Sequence, residues 1–436
     1  MNFKESIDWL YSFKKYGSKL GLERISYLVE KLDNPQKKLN VIHVTGTNGK
    51  GSVCKFIGSI LQHAGYSVGI YISPHLERFS ERIVINNEEI SEENIVLLVE
   101  KIKPIVDEMI KKNNSPTFFE IITAMTFQFF YNSKVDFAVI EVGLGGRFDA
   151  TNVVTPAVSV ITNISKEHSQ QLGEDLKSIA FEKAGIIKDN VPAITAAKNE
   201  GKEVIVTIAK EKKAPITVVD CDSWKRVSHT MSYQNFLISG RLNEYVVKTS
   251  LLGEYQGENI ALAIAAIEQL QMKGLYVTDT DILVGISTTF HPGRMEIIAQ
   301  EPTILFDGAH NPVGAEMLSK ALQQDMKYDK LILVLGILKD KDIQKMLSSF
   351  IPIADTIIVT KSTNARACEP HILKKMIEKL GYDKEAMVEN SLQNAVELAK
   401  KLANKHDMIC VTGSLFTVGE ARSYLFINSP KKILNS

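Results

Sequence analysis

Residues 41–52 read Val41-Ile42-His43-Val44-Thr45-Gly46-Thr47-Asn48-Gly49-Lys50-Gly51-Ser52, an apolar run followed by a glycine-rich turn. Apolar residues at helical spacing over 53–64 predict an amphipathic helix directly after the turn. A glycine-rich turn between a buried strand and a helix points backbone N–H groups at a phosphate, and the helix N-terminus adds positive charge. Lys50 adds a mobile cation for the β- and γ-phosphates, and Ser52 adds a hydroxyl for Mg²⁺. The stretch therefore predicts a site for nucleotide phosphates.

The spacing of this turn departs from the strict G-x-x-x-x-G-K-[ST] pattern. Two residues separate Gly46 from Gly49, and Gly51 stands between Lys50 and Ser52. An ordinary glycine-rich strand-to-helix loop is therefore the alternative interpretation. The buried strand before the turn and the helix after it favour the phosphate loop.

Length and charge limit the classes of protein to consider. A chain of 436 residues is too long for one compact core and allows two or three domains, of which we expect two. The 51 basic and 51 acidic residues cancel, so no overall field favours nucleic acid or an anionic membrane. The N-terminus lacks the apolar core of a signal peptide, and no run approaches the ~18 apolar residues of a membrane span. We expect a soluble, cytoplasmic protein that acts on small molecules.

The four cysteines, Cys54, Cys221, Cys368 and Cys410, include no C-x-x-C pair. This distribution fits neither a disulfide framework nor a zinc site. Cys54 lies one turn into the helix after the phosphate loop, where it is either a nucleophile or a small packing residue. Small buried packing is the commoner role of such a cysteine and is the favoured interpretation.

Short apolar, β-branched runs alternate with helix-length segments in two blocks, which is typical of parallel sheets covered by helices. The first block predicts strands at residues 41–44, 67–72, 136–142 and 158–161 and helices at 91–111 and 118–131. Polar β-rich stretches at 231–238 and 245–252 then predict an antiparallel ribbon attached to the first domain, followed by helices at 259–272 and 279–289. The second block predicts strands at 303–306, 330–335, 355–359 and 407–411 and helices at 313–323, 342–350, 370–379, 391–401 and 415–424.

The turn-prone cluster His291-Pro292-Gly293-Arg294 interrupts any regular element between the two blocks. We therefore predict an α/β protein with an N-terminal P-loop ATPase-like domain at 1–292, built on a mainly parallel sheet. A smaller Rossmann-like α/β domain follows at 295–436, with a hinge at 291–294. The chain after Ile427 is predicted to be a frayed end.

Polar residues follow several strands of the first block, where an open parallel sheet places its ligands. Ser73 follows the second strand, Glu141 closes the third, and His168 lies after the fourth. A hydroxyl, a carboxylate and an imidazole beside a phosphate loop suit one or two Mg²⁺ ions. A single strand-end residue of this kind is more often a cap or a solvated group, but as a set after a phosphate loop these residues favour the metal site.

Two further loops carry polar residues after strands. The run Gly143-Leu144-Gly145-Gly146-Arg147-Phe148-Asp149 lacks the spacing of a dinucleotide loop, so we interpret it as a loop beside Glu141 that contacts a second substrate. The run Asp307-Gly308-Ala309-His310-Asn311-Pro312 opens a helix, with Asn311 or His310 near the cap and Pro312 in the first turn. A capping motif alone explains this second loop equally well.

Six motifs occur in order along the chain: the phosphate loop, Ser73-Pro74-His75-Leu76, Glu141-Val142-Gly143-Leu144-Gly145-Gly146-Arg147, Glu182-Lys183-Ala184-Gly185, His291-Pro292-Gly293-Arg294 and Asp307-Gly308-Ala309-His310-Asn311-Pro312. Together they resemble the folylpolyglutamate synthase/dihydrofolate synthase family, relatives of the Mur ligases. The resemblance runs from residue 21 to residue 415, nearly the whole chain.

The resemblance implies roles for individual residues. ATP would be bound by Gly49, Lys50, Gly51 and Ser52, with Asn259 at the base, Arg294 at the phosphates and Asp307 at the ribose. Mg²⁺ would be held by Ser52, Ser73, Glu141 and His168. Lys183 matches a carbamylated lysine, and Lys50, Lys183 and His310 are the expected catalytic residues. The pterin or folate pocket would include Gly21, Leu22, Glu23, Arg24, Thr117, Phe118, Phe119, Glu120, Arg147, Phe148 and Asp149.

The activity implied by the resemblance is ATP-dependent addition of L-glutamate to dihydropteroate, to the γ-carboxylate of folates, or to both, by a monomeric enzyme. Two alternatives stay open. One is a Mur-type ligase acting on a nucleotide-linked precursor, although little chain precedes the phosphate loop to form the nucleotide-sugar domain of such enzymes. The other is a P-loop switch that binds ATP without ligase activity.

Overall fold

A computed structural model describes residues 1–17, 19–165, 173 and 175–428, with side chains described as far as residue 426. Its first part is an eight-stranded sheet in the order β4-β3-β2-β5-β1-β6-β7-β8. The strands are β1 Val41–Thr45, β2 Val68–Tyr71, β3 Ile83–Ile85, β4 Glu88–Glu89, β5 Phe137–Glu141, β6 Val158–Ile161, β7 Ala193–Thr195 and β8 Ile216–Val218. The strands from β2 to β8 in this order pair in parallel, and β3 and β4 add an antiparallel edge.

Helices cover both faces of this sheet. They are α1 Phe3–Ser12, α2 Glu23–Lys31, α3 Lys50–His63, α4 Glu92–Lys111, α5 Phe118–Asn132, α6 Leu176–Ala184, α7 Asn199–Glu211, α8 Gln256–Gln271 and α9 Asp279–Thr288. Alternate residues of β1 enter the two cores: Ile42 and Val44 pack with α3, α8 and α9, whereas Val41 packs with α1, α2, α4 and α5. All five residues of β1 are buried, so the phosphate loop leaves the centre of a sheet that is covered on both sides.

The antiparallel ribbon has three strands, β9 Trp224–His229, β10 Gln234–Ser239 and β11 Glu244–Thr249. Its apolar side packs on α8 through Phe236 and Ile238, as expected of an attachment to the first domain. The ribbon also contacts the second part of the chain: Arg226 of β9 donates to both carboxylate oxygens of Asp325 at 2.8 Å.

The second part is a six-stranded sheet in the order β12-β13-β17-β14-β15-β16, parallel except for β12. Its strands are β12 Glu296–Gln300, β13 Thr303–Phe306, β14 Leu331–Leu335, β15 Thr356–Val359, β16 Met387–Val388 and β17 Met408–Thr412. Its helices are α10 Pro312–Asp325, α11 Ile343–Phe350, α12 Pro370–Lys379, α13 Leu392–Leu402 and α14 Leu415–Asn428. The first three helices cover one face, and α13 and α14 cover the other.

This architecture confirms the predicted fold class, an α/β chain with a mainly parallel first sheet and a second, smaller α/β unit. The boundary between 292 and 295 stays a prediction. The predicted frayed end concerns residues after Ile427, which lie almost wholly outside the described range.

A loop of the first part, residues 73–82, docks on the last helix of the second. Glu77 accepts hydrogen bonds from Arg422 and from Ser423 Oγ, the latter at 2.9 Å. The carbonyl of Leu76 lies against Gly419, in the interior of α14, and a Cβ placed there would be 1.9 Å from that oxygen. The glycine is therefore required for the close approach of a backbone rather than for a turn.

Replacing Gly419 by Ala tests this docking. An interior helical Gly→Ala change ordinarily stabilises by about 1 kcal/mol, but overpacking against a backbone carbonyl costs about 1–3 kcal/mol. We expect Gly419→Ala to lower the Tm in thermal unfolding. Gly201→Ala in α7 is the matched control, because its Cβ would find its nearest neighbour at 3.3 Å, a side-chain atom of Ile164. A Gly419→Ala protein at least as stable as the parent would contradict the docking.

Candidate active site

The carboxyl ends of the two sheets face a common cavity of about 190 Å³. The first sheet contributes the residues that follow β1, β2, β5 and β6, and the second contributes the loop after β13. Predicted site residues that line it are Gly49, Lys50, Gly51, Ser52, Ser73, Glu141, Lys183, Asn259, Arg294, Asp307 and His310. The structure thus brings together the residues that the sequence assigns to nucleotide and metal, apart from His168, which lies outside the described residues.

The phosphate loop keeps its shape through two close approaches. Gly46 has φ +141°, and a Cβ there would lie 1.8 Å from Thr162 Oγ1. Gly49 has φ +86° and caps α3, and its Cβ would lie 2.2 Å from Asn259 Oδ1. Lys50 begins the helix, and its Nζ donates to the carbonyl oxygens of Gly46 and Thr47, each at 3.0 Å. The ammonium is therefore held at the mouth of the loop, within reach of the space where a phosphate would lie.

Glu141 is the buried carboxyl group of the site. Its Oε2 accepts the backbone N–H of Ser73 at 3.0 Å. Burial raises the pKa of Glu141, and the positive charges of Lys50, Arg294 and Arg82, together with that hydrogen bond, act in the opposite direction. Ser52 also lines the cavity, with its Oγ 3.2 Å from His291 Nδ1. A carboxylate and a hydroxyl at the mouth of a phosphate loop are oxygen ligands of the kind Mg²⁺ takes.

Lys183 lies at the end of α6 with 1% of its surface exposed. Its Nζ donates to the carbonyl of Gly46 at 2.8 Å, so it contacts the phosphate loop directly. A helix-surface lysine is thereby excluded.

The second sheet presents three polar residues after β13. Asp307 accepts the N–H groups of Met295 and Ala309 at 3.0 and 2.8 Å, and burial raises its pKa against the charge of Arg294. His310 is not the helix cap: its Nδ1 lies 2.8 Å from the carbonyl of Gly308, and burial lowers its pKa to about 4. The cap of α10 is Asn311, which also donates to Asn48 Oδ1 of the phosphate loop at 2.9 Å.

The predicted acceptor residues form two groups outside the cavity; among the described residues, none of them is in its lining. In the first group, Gly21 and Leu22 precede α2, Glu23 and Arg24 begin it, Thr117 caps α5, and Phe118, Phe119 and Glu120 form its first turn. Arg24 pairs with Glu120, its Nε 2.9 and 3.1 Å from the two carboxylate oxygens, and Glu120 also accepts from Thr117 in a capping box.

In the second group, Arg147 pairs with Glu182 Oε1 at 2.9 Å and its guanidinium lies 4.3 Å from the ring centre of Phe148. Asp149 accepts the N–H groups of Leu144 and Thr151 at 2.8 and 2.9 Å. Phe119 approaches Gly143, where a Cβ would lie 2.5 Å from the ring, so the two groups meet beside the Glu141 strand. The assignment of all these residues to an acceptor pocket stays a prediction.

Several lining residues were missed by the sequence interpretation: Asn48, Tyr255, Glu258, Met317 and Leu415. Asn48 lies inside the quoted loop, so its position was available from the sequence. Tyr255 and Met317 belong to the start of α8 and to α10, which only the folded chain brings together. Cys54 is fully buried, and burial raises its pKa, as expected of a packing residue.

Residues 44–267 match the Mur ligase middle domain and residues 293–415 match the Mur ligase glutamate ligase domain. The dihydrofolate synthase/folylpolyglutamate synthase of Bacillus subtilis is 35% identical over 97% of this chain and 99% of its own. This chain belongs to the folylpolyglutamate synthase/dihydrofolate synthase family.

Solved structures of this family agree with the fold. Mycobacterium tuberculosis folylpolyglutamate synthase, in a complex with ADP, superposes with a TM-score of 0.90 at 30% identity, covering 97% of this chain and 99% of that one. Escherichia coli FolC, in a complex with DHPP and ADP, superposes with a TM-score of 0.84 at 31% identity, covering 97% and 98%. Within the described part of the chain, no helix is long and apolar enough to cross a membrane.

The buried carboxyl group of Glu141 generates a prediction about stability. The pKa of Glu141 is higher in the folded protein than in the unfolded chain. The free energy of unfolding therefore falls as the pH rises from the unfolded-state pKa to the folded-state pKa, because the buried carboxyl group resists ionisation. Glu141→Gln keeps an acceptor for the Ser73 N–H and removes the charge. We therefore expect the ligand-free variant to have a higher Tm than the parent at pH 8, with a smaller difference near pH 5.

Glu108→Gln is the control for this measurement. Glu108 lies on α4, pairs with Lys112 at 2.6 Å, and has a pKa lowered by its hydrogen bonds to Lys112 and Tyr27. Its replacement should give no gain in Tm at either pH. Equal Tm values for Glu141→Gln and the parent at pH 8 would show that the carboxylate carries no burial cost.

Proposed function

We propose that this protein is an ATP-dependent ligase that adds L-glutamate to dihydropteroate, to the γ-carboxylate of folates, or to both. The observation that carries the proposal is the shared cavity, which is lined by the phosphate loop and Glu141 of one sheet and by Asp307 and His310 of the other. Relatives named for both synthase activities, and structures of relatives bound to ADP, support this assignment.

In this proposal the triphosphate lies along the phosphate loop. The N–H groups of Gly49, Gly51 and Ser52 and the ammonium of Lys50 bind the β- and γ-phosphates, and Arg294 neutralises charge from the linker side. Asn259 contacts the base and Asp307 the ribose. Because residues of both units would contact the same nucleotide, its binding energy could drive closure of the cavity.

The donor set suits Mg²⁺, because Glu141 supplies a buried carboxylate and Ser52 and Ser73 supply hydroxyls. When bound, Mg²⁺ offsets charge on the transferring phosphoryl group. Glu141 in its ionised form and Ser52 would hold it, with Ser73 and His168 as further ligands and room for one or two ions. Burial of Glu141 keeps water from competing for the same oxygens.

The chemistry follows from the poor reactivity of a carboxylate as an acyl donor. A carboxylate oxygen of the acceptor attacks the γ-phosphorus, the bond to the bridging oxygen breaks, and ADP leaves with that electron pair. The amine of L-glutamate then attacks the acyl carbon, phosphate leaves, and an amide forms with loss of a proton. Lys50 and Arg294 bind the charge that develops on the phosphoryl group. His310, kept neutral by burial, is available to accept the proton of the amine.

Lys183 is proposed to be carbamylated. In its neutral form, an amine reacts with CO₂ to give a carbamate, an anionic oxygen ligand, with release of a proton. The burial of Lys183 and its contact with the Gly46 carbonyl of the phosphate loop support this proposal. We also propose the division into 1–292 and 295–436 with a hinge at 291–294, supported by the two separate sheets on either side of that linker.

The deciding experiment incubates the purified protein with Mg-ATP, L-glutamate and either dihydropteroate or tetrahydrofolate, and weighs the products. A mass increase of one glutamyl residue with each acceptor identifies both activities, and with one acceptor a single activity. ADP release without glutamate transfer would instead indicate an ATP-binding switch. Transfer of an amino acid only to a nucleotide-linked precursor would indicate a Mur-type ligase.

Arg294→Ala tests the proposed phosphate contact. Loss of one charge-stabilising group in a desolvated site lowers kcat by roughly 100-fold or more. We expect that loss in steady-state kinetics, with little change in Tm, because none of the described residues forms an ion pair with Arg294. Arg241→Ala, an exposed arginine of the ribbon turn, is the control and should retain full turnover. Full turnover of Arg294→Ala would remove the assignment.

The carbamate is tested by ¹³C NMR of protein equilibrated with ¹³C-bicarbonate. We expect one carbamate resonance in the parent protein and none in Lys183→Ala. Lys177→Ala is the matched control, because Lys177 lies on the same helix α6 and is exposed. A spectrum of the parent without that resonance, or with the same resonance in Lys183→Ala, would exclude the modification.

A further inference from the structure

Arg82 is a buried arginine whose surroundings differ from those of several other arginines with little exposure. Three of those face a carboxylate: Arg24 faces Glu120, Arg226 faces Asp325, and Arg422 faces Glu296. Arg82 is 7% exposed, and its Nε donates to His75 Nδ1 at 2.8 Å. In the part of the chain that the structure describes, no carboxylate oxygen lies within 4.0 Å of its guanidinium nitrogens. A buried cation without a carboxylate is costly unless an anion is supplied from outside.

A second cation lies on the same aromatic ring. The guanidinium carbon of Arg82 is 5.6 Å from the ring centre of Phe118, and Lys14 Nζ is also 5.6 Å from it. Lys14 Nζ lies 3.7 Å from the ring centre of Tyr11, which packs against Phe118 at 5.6 Å. Lys14, Arg82, Tyr11 and Phe118 thus form one group. It is open to solvent at Lys14, which is exposed, and it is buried at Arg82.

Among the described residues no carboxylate forms an ion pair with Arg82 or Lys14, and the charges of Glu141 and Glu81 act on Arg82 only at longer range. The hydrogen-bond partner of Arg82 is an imidazole nitrogen of His75 rather than a carboxylate. Burial and then the charges of Arg82 and Arg366 lower the pKa of Lys14. Arg366 belongs to the second sheet's unit, so positive charge approaches the group from both parts of the chain. Such an arrangement is electrostatically complementary to a carboxylate.

The group adjoins the residues assigned to metal and phosphate. Arg82 ends the loop that Ser73 begins, and the N–H of Ile72 donates to the carbonyl of Arg82 at 3.0 Å. Ser73 in turn donates to Glu141, and the charge of Arg82 acts on that carboxyl group. A ligand whose reacting carboxylate lies near Glu141 would therefore have these cations near the groups that adjoin that carboxylate.

We propose that Lys14 and Arg82, over the ring of Phe118, bind the α-carboxylate of the glutamyl residue of a folate acceptor. The inference rests on the proposed function. Coupling through the γ-carboxylate leaves the α-carboxylate of the same residue ionised and close to the reacting centre, where it needs a cationic partner. Dihydropteroate has a single carboxylate, the one that reacts, so it has no group for this site.

The test compares two acceptors on two matched variants. Equilibrium binding of tetrahydrofolate and of dihydropteroate is measured in the presence of Mg-AMPPCP, which permits no turnover. For Lys14→Gln we expect the Kd of tetrahydrofolate to rise about 10-fold, with the Kd of dihydropteroate unchanged. Lys15→Gln, one residue along and 5.2 Å from the ring of Tyr16, is the control and should change neither Kd.

Arg82 is tested by the ratio of the same two dissociation constants in Arg82→Lys and Arg82→Gln. Arg82→Lys should retain the preference for the acceptor with an α-carboxylate, and Arg82→Gln should lose it. If Arg82→Gln fails to fold, as judged by its Tm, the Lys14→Gln comparison decides alone. Equal weakening of both acceptors by Lys14→Gln, or no weakening of either, would overturn the proposal.

The two proposals fail in distinguishable ways. Absence of ATP-dependent glutamate transfer in the product assay would refute the proposed function, whatever the binding ratios. Normal glutamate transfer with unchanged binding ratios in Lys14→Gln would refute the α-carboxylate site alone.

Discussion

The buried carboxyl group of Glu141 is the constraint around which the cavity is organised. It accepts a hydrogen bond from Ser73, and Lys50, Arg294 and Arg82 supply positive charge at longer range. An arrangement optimised for the stability of the free protein would place a cation in contact with it. Longer-range cations leave the carboxylate oxygens available to a ligand, so the site accepts a cost in folding free energy in return for binding capacity.

A buried carboxylate stays available to a ligand only if the residues around it are held rigidly. Close approaches of the backbone to neighbouring residues provide that rigidity. Gly46 and Gly49 let the phosphate loop pack against Thr162 and Asn259 at distances that no other residue permits. Because these neighbours belong to other elements, the loop conformation depends on tertiary structure rather than on local preference. Its N–H groups can therefore stay directed into the cavity without a ligand, which lowers the reorganisation needed on binding.

The two sheets are also linked at points that belong to the site itself. Asn311 caps α10 and binds Asn48 of the phosphate loop, while Glu77, on the loop that begins at Ser73, binds Arg422 of α14. A rotation of one unit relative to the other would therefore displace the phosphate loop and the Ser73 loop together. Under the proposed function, closure of the cavity and assembly of the proposed metal-binding groups would therefore be parts of one motion.

Sequence reasoning recovers the long, strongly patterned elements. Strands 158–161 and 303–306 coincide with β6 and β13, and helix 370–379 coincides with α12. It misses β7 and β8, which have three residues each, because runs that short carry no periodicity. It also misses α1 and α2, although the spacing of apolar residues in both is typical of amphipathic helices that pack on a core.

At the site, the sequence identifies the motifs and their order, but it does not determine which residue of a motif has which role. Asn311 and His310 were equal candidates for the cap of α10, since either residue at that spacing can cap, and only the Asn311 contact with Gly314 N at 2.8 Å separates them. The pairing of Arg24 with Glu120 spans 96 positions and has no local signature. Long-range pairing of this kind is what a single sequence cannot supply.

The two groups of predicted acceptor residues differ in what their side chains can still do. Arg24, Glu120 and Asp149 already have their charged atoms engaged by partners within the protein, whereas Arg147 pairs with Glu182 and its Nε has no hydrogen-bond partner among the described residues. In the proposed acceptor pocket, their contribution would therefore be mainly to position the backbone and the rings of Phe119 and Phe148, which would recognise shape and apolar surface. A negatively charged group of the acceptor would instead be bound by cations that have no carboxylate partner among the described residues. Lys14 and Arg82 are two such cations. Separate parts of the surface would thus bind the planar ring system and the ionised tail of an acceptor. An acceptor without the ionised tail could still bind through its ring system.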